Sequence, residues 1–474
     1  MSGSAPRSSP GLEAADSAAG QAPVDPRGPR SYGSGARILT IGIASTGIFS
    51  FLYLALASRS LGSDAYGRVS LMWSVMFVIL SVIYRPIEQL LSRTIAERRA
   101  RGLEGHPLRV PAMIQASFAL LFLVIALSLR PQITDHLYDG SSALYWMTVV
   151  GVLAYAGSYF ARGWLAGHQR FGLYGGLVLL ESTSRFLFAL AAALGITHGQ
   201  SAIAIGMAVA PFVSLMVVPF ALTRVLPSGS GTSEDAAARA RDEALHDAPV
   251  LDAGMEGPAH AEIEEAVADL TIHHGTRFAI AVFAIMLAEQ TLMNAAVLIV
   301  NASSGEALAG FVFNVLLIVR APLQLFQAIQ TSILPHLAGL EVRESGEEFA
   351  KAIRVTVLAI AAFAGACALG LLAIGPWVMS TFLGSKGFTY ERGGLALVAI
   401  GMGFHLIAGT LNQAALARRR AGLAAAAWLT SAVLFVAWMV SPIVNDEVLR
   451  VETGYFGAAF LLSCLLFGLY RRPA

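Results

Sequence analysis

The stretch IRVTVLAIAAFAGACALGLLAIGP, residues 353–376, carries one charge, Arg354, near its start and none from there to Pro376. A helix rises ~1.5 Å per residue, so about 20 such residues cross the ~30 Å hydrocarbon core of a bilayer. Within lipid each peptide N–H and C=O must find its partner inside the segment, which a helix achieves by itself. Similar apolar runs follow at 392–416, 421–441 and 453–471, and two precede it at 277–301 and 306–334. Upstream of a polar break lie six more, at 37–59, 66–87, 110–130, 142–163, 172–195 and 200–222. The expected fold is an all-α polytopic membrane protein of about 12 transmembrane helices, in two six-helix lobes over 37–222 and 277–471.

Composition supports lipid as the solvent: 56% of residues are hydrophobic and 13% charged, far from the balance of a soluble chain. Lysine occurs only at Lys351 and Lys386 against 30 arginines, a bias that, with the Ala and Gly richness, points to a high-GC bacterium. Cys367 and Cys464 sit inside apolar runs without partner spacing, so neither a disulfide nor a metal site is expected. Residues 1–36 are rich in Gly, Pro, Ala and Ser and read as a disordered cytoplasmic tail. They lack the order of charged start, apolar core and cleavage site that marks a signal peptide. Residues 223–276 read as an acidic, flexible cytoplasmic linker, in which Ile263, Val267 and Leu270 share one face of a short helix over 261–272.

Orientation follows from the positive-inside rule. With the N-terminus inside, cytoplasmic segments hold 24 of the 32 basic residues and external ones six: Arg59, Arg68, Arg130, Lys386, Arg392 and Arg450. Arg162 is counted among the cytoplasmic flanks. Both termini are therefore expected in the cytoplasm, and the chain in the inner (cytoplasmic) membrane. The remaining two bases, Arg185 and Arg320, fall within helices.

A charge at the bilayer centre costs at least ~2.5 kcal/mol on insertion scales, so such residues face a partner or a water-filled cavity. Glu181 and Arg185 are four apart on one helical face, the favourable order for an ion pair; they either neutralise each other or line a cavity and exchange partners with a ligand. Glu289 and Arg320 fall at similar depth on consecutive helices, where they too could pair. Gln290, Asn294, Gln324 and Gln327 extend that strip beyond what one ion pair needs, which favours a hydrated cavity. Arg85 and Glu88, with Pro86 between them, are the deepest charges at the inner end of helix 2 and could guard a cytoplasmic entrance; the arginines that follow are topology determinants touching anionic headgroups. His405 reads as a satisfied core histidine. No G-x-x-x-x-G-K-[ST] loop, nucleotide fold, zinc spacing or nucleophile elbow occurs. Neither a cofactor nor a nucleic-acid partner is indicated.

A weak internal echo links Leu165-Ala166 and Gly172-Leu173 with Leu416-Ala417 and Gly422-Leu423, at equivalent places in the two halves, as in transporters built from parallel repeats. Four places resemble the Wzx-type polysaccharide flippases of the multidrug/oligosaccharidyl-lipid/polysaccharide exporter superfamily: the turn Leu61-Gly62-Ser63-Asp64-Ala65-Tyr66-Gly67, the junction Arg162-Gly163-Trp164 through Tyr174 to Glu181, the run Arg320-Ala321-Pro322 through Gln330 to Pro335, and Leu411-Asn412-Gln413 through Arg420. With the helix count, the likeness spans most of 37–471.

The resemblance implies two lobes around a central cavity that opens alternately to either side, and an isoprenoid-linked sugar as cargo: a polyprenyl-diphosphate oligosaccharide of cell-envelope polysaccharide or lipopolysaccharide biosynthesis, with glycan-assembly enzymes as partners. A pyrophosphate and glycan cannot enter hydrocarbon, so a hydrated, partly cationic groove has to carry them. Arg185 and Arg320 are then expected to meet the phosphates, and Glu181 and Glu289 to hold those arginines or carry a coupling ion.

A cation-coupled multidrug exporter of the same superfamily would share the topology but favour an acid-dominated cavity. A major-facilitator transporter would need a G-x-x-x-D-R-x-G-R turn where Pro86 to Gly102 stands. A membrane glycosyltransferase or polymerase would need a sizeable external loop, and Asp64, Asp135, Asp139, Asp446 and Glu447 form no evident catalytic set. The expectation is a transporter rather than an enzyme.

Overall fold

The computed structural model describes residues 29–100, 108–219, 258–323, 346–385, 387–418 and 420–471. Every described element is helical. Helix α1 spans Pro29–Ser60, α2 Ser63–Ile79, α3 Arg85–Ala100, α4 Arg109–Ser128, α5 Arg130–Tyr138, α6 Ser142–Gly167, α7 Phe171–Ala193 and α8 Gln200–Leu215. The second set comprises α9 Pro258–Ser304, α10 Glu306–Leu323, α11 Gly346–Leu383, α12 Arg392–Ala417, α13 Ala421–Val440 and α14 Glu447–Arg471.

Ten helices among the described residues are long and apolar enough to cross a membrane, so the chain is a multi-pass membrane protein. Of the two further expected spans, 37–59 lies within α1, which begins eight residues earlier, inside the stretch expected to be a disordered tail, and 200–222 corresponds to the shorter, 16-residue apolar α8. Helix α9 is one continuous element of 47 residues; the short helix expected at 261–272 is its first part, while the rest of the linker lies outside the described residues. Proline opens both α1 and α9, where its missing N–H costs nothing.

Local chemistry sets the helix ends. Ser141 caps α6 through Leu144 N–H, and Asp446 accepts from Val448 and Leu449 N–H at the start of α14. Gly305, at φ +85°, turns the chain from α9 into α10. Helices α2 and α3 form one rod joined by a π turn, Leu80–Tyr84, in which Arg85 N–H reaches back five residues to Leu80 C=O. Pro86 has no N–H to continue the ordinary ladder, and a π turn is a common local answer to such a gap.

Helices before residue 220 pack chiefly among themselves, through α1 with α7, α7 with α8, and α6 with both α3 and α8. Those after 258 do likewise, through α9 with α13 and α12 with both α11 and α14. The two sets meet along α2 with α9 and α1 with α11. Close approach relies on small residues, as is usual between helices in lipid: a Cβ at Gly163 would lie 2.8 Å from Glu88 C=O, and one at Gly167 2.7 Å from Ile95 Cβ. Both α4 and α11 turn long apolar faces outward, with Leu120, Leu121, Leu358, Leu369 and Trp377 exposed, the surface a lipid solvent covers.

Contacts also sort the connections by end. Arg68, Asp139, Gln200 and Glu306 meet at one end, as do Arg59 with Ser380. At the other, Glu88 meets Tyr174, and Arg418 and Arg420 reach the carbonyls of Tyr470 and Leu469. This is the alternation that successive crossings of one bilayer require.

Candidate functional site: a charged cavity between the two helix sets

A cavity of about 840 Å³ lies between the two sets, lined by α1, α2, the π turn, α3, α6 and α7 on one side and α9 and α10 on the other. It runs from Trp73 and Phe77 toward the end bearing Ser92 and Phe171. Its lining contains four arginines, Arg85, Arg162, Arg185 and Arg320, and three glutamates, Glu88, Glu181 and Glu289.

The first-set wall is organised by Glu181 on α7. One oxygen accepts from Tyr155 OH at 3.1 Å and Arg185 Nη1 at 3.2 Å; the other accepts from Ser158 Oγ at 3.3 Å and pairs with Arg162. Arg185 Nη1 also donates to Tyr155 OH at 2.7 Å, and its guanidinium lies 5.5 Å from the Trp73 ring. Arg162 covers the Tyr159 ring at 4.5 Å. Glu181, Arg185 and Arg162 are 4%, 2% and 8% exposed, and one carboxylate is shared by two guanidiniums, which leaves this wall cationic. The i, i+4 pair expected on α7 is present, but as part of a triad rather than as a closed pair.

Arg162 corrects the topology count, where it stood as a flank residue. It is buried because Gly163 and Gly167 bring α6 hard against α3 and turn the preceding side chain toward α7. Nothing in its local sequence separates it from an interfacial arginine, since it stands at the very end of the apolar run 142–163. Tyr155 and Ser158, the triad's hydroxyl donors, were missed for the same reason: on α6 they look like ordinary helix residues until α7 is laid beside them.

The second-set wall departs from expectation. Arg320 does not pair with Glu289; its Nη2 donates to Met293 C=O at 2.7 Å and Asn294 Oδ1 at 3.0 Å, and its guanidinium stands 4.4 Å from the Phe313 ring. Glu289 lies one turn from Met293 on the lining, but the backbone carbonyl and the amide capture the guanidinium first. Arg320 Nε is buried without a hydrogen-bond partner, and among the described residues Arg320 makes no ion pair. Asn294 is held in turn by Gln290, through Nδ2 to the side-chain oxygen at 3.1 Å.

At the cavity's end Glu88 accepts from Tyr174 OH at 2.8 Å, with Arg85 on the same helix one turn away. Of the expected site residues, Arg85, Glu88, Glu181, Arg185, Glu289, Asn294 and Arg320 all line this one cavity; Gln324 lies outside the described residues. His405 is buried away from it. Its Nδ1 meets Tyr455 OH at 3.1 Å and its Nε2 has no partner, so it is only half satisfied. No group of His, Cys, Asp or Glu among the described residues is arranged to hold a metal ion.

The fold is similar to that of solved MATE transporters. The chain superposes on an inward-facing MATE family multidrug resistance transporter with a TM-score of 0.58 at 13% identity, over 92% of this chain and 97% of the other. A Vibrio cholerae MATE transporter aligns at 0.55 and 15% identity, over 93% and 97%. A eukaryotic MATE transporter aligns at 0.55 and 10%, over 94% and 96%. At such identities the likeness concerns the fold. No protein-family model and no curated protein matches the sequence.

Proposed function

We propose that the chain is a flippase that carries a lipid-linked, polyprenyl-diphosphate oligosaccharide across the cytoplasmic membrane by alternating access, with twelve spans in two six-helix lobes and both termini in the cytoplasm. The observation that carries this reading is Arg320. It is a guanidinium on the cavity wall, held by two neutral acceptors, with its buried Nε–H unused. A cation desolvated without a counter-charge is costly, and a diphosphate entering the cavity would supply that charge in the bidentate geometry that guanidinium suits.

Arg162 and Arg185, sharing Glu181, add a second positive wall across the cavity. Four arginines against three glutamates favour an anionic headgroup. The walls also supply Tyr155, Tyr159, Tyr174, Gln89 and Gln290 as hydrogen-bonding groups for a glycan. The polyprenyl tail would remain in the bilayer.

The second reading is a cation-coupled multidrug exporter, and the multidrug transporters among the structural neighbours favour it. Cargo charge separates the two. Proteoliposomes loaded with a fluorescent polyprenyl-diphosphate sugar should show flipping by the native protein and loss of it in Arg320→Ala, by tenfold or more, with insertion unchanged. If the native protein moves several such lipids no faster than empty vesicles and instead extrudes cationic dyes, the exporter reading replaces the flippase.

A further inference from the structure

The cavity ends well short of the Arg68 end, where the two helix sets close on each other through a glycine contact and the polar ties around it. Helices α2 and α10 touch there by backbone: a Cβ at Gly310 would lie 3.0 Å from Gly67 Cα, and one at Gly67 would collide with the Glu306 carbonyl. Lower down the same two helices part. From Trp73 on α2 and Leu317 on α10 onward both line the cavity, about 9 to 11 Å along each helix from the glycine contact at ~1.5 Å per residue.

Three polar ties flank the contact. Arg68 Nη1 pairs with Glu306 at 2.9 Å, each side chain 17% exposed. Tyr66 OH donates to Asn314 Oδ1 at 2.5 Å. Asn314 Nδ2 donates to Ser58 Oγ at 3.3 Å, whose hydroxyl in turn meets Leu383 C=O.

We propose that Arg68–Glu306 and Tyr66–Asn314, set around the Gly67–Gly310 contact, form a releasable clasp that closes the Arg68 end, and that this clasp parts when the cavity opens there. The arrangement has the marks of a contact built to break. Arg68 is anchored within its own helix set by Gln200 at 2.8 Å and Asp139 at 3.1 Å, and among the described residues reaches across only to Glu306. On opening it gives up a single acceptor and stays in place to take it back. The pair is reached by water, so each charge is rehydrated as it separates, and a partly exposed ion pair is a weak tie. Two glycines in contact have no interlocked side chains to withdraw.

The test reads access and needs no cargo, so its failure is distinct from failure of the flippase reading. In a Cys367→Ala, Cys464→Ala background, Ser81→Cys places a thiol on the cavity wall. A membrane-impermeant maleimide added at the Arg68 end of oriented proteoliposomes then reports opening on that side. Adding Glu306→Gln with Asn314→Leu should raise the labelling rate from that end about tenfold, while labelling from the opposite end is kept or lowered, which also shows the variant folded.

A second variant, Arg68→Cys with Glu306→Cys, replaces the ion pair by two thiols while leaving the glycine contact intact, and should cross-link on mild oxidation. Once the Ser81→Cys thiol is added and the pair oxidised, labelling from the Arg68 end should cease while labelling from the other end persists. Unchanged rates in the loosened variant, or a cross-linked protein labelled from the Arg68 end as fast as before, would overturn the clasp; if the loosened variant does not insert, the cross-linked one decides.

Discussion

At the scale of single residues, the cavity's charges are worth most where they are least exposed. Glu181 satisfies two arginines and two hydroxyls, and taking one partner from a buried charged network costs about 3–5 kcal/mol, because the charges left behind have no solvent. Glu181→Ala is therefore expected to lower the thermal midpoint in detergent well below that of Arg185→Met, and adding Arg185→Met to Glu181→Ala should recover part of the loss. A midpoint in Glu181→Ala equal to that of the native protein would mean that the arginines find water or another carboxylate. Arg320 presents the opposite case. Its hydrogen bonds are to neutral groups, so Arg320→Ala should affect stability less than Glu181→Ala does and affect cargo handling more.

Among elements, small residues set the helix spacing that gives those charges their positions. Gly163 lies against the Glu88 carbonyl with no room for a side chain, and overpacking such a contact costs about 1–3 kcal/mol. Gly163→Leu should push α6 off α3, displace Arg162 from Glu181 and lower the yield of folded protein. Gly172, in the first turn of α7, has open space where a methyl group would stand, and Gly172→Ala in a helix should be neutral or stabilising by up to ~1 kcal/mol. Thermal unfolding of the two variants side by side checks both. The π turn at Leu80–Tyr84 belongs to this scale as well: its extra residue per turn rotates Arg85 and Glu88 relative to Trp73 and Phe77, so one rod presents both aromatic and charged residues to the same cavity.

For the whole molecule, alternation of the connections between two ends makes a labelling pattern. Asp139 and Asp446 are exposed at connections expected outside, and Gly172 is exposed at one expected inside. In a cysteine-free background, Asp139→Cys and Asp446→Cys should react with an impermeant thiol reagent added to intact cells, and Gly172→Cys only after permeabilisation. The reverse pattern would invert the proposed orientation while leaving the helix packing untouched.

The sequence by itself determined that this is a helical membrane protein with its helices at these places. Hydrocarbon forces about 20 apolar residues per crossing and forbids open backbone, so the runs at 353–376, 392–416 and elsewhere carry that information locally. It also singled out most of the cavity's charges, since Glu181, Arg185, Glu289 and Arg320 are conspicuous in apolar surroundings. Only the tertiary structure decided how they pair. Partner choice depends on which helix lies alongside and at what rotation, and that is set by contacts such as Gly163 with Glu88 and Gly67 with Gly310, between residues far apart in the chain. Arg162 therefore leaves the interface for Glu181, Arg320 takes Asn294 rather than Glu289, and the cavity closes at the Arg68 end, none of which has a signature in any one stretch of sequence.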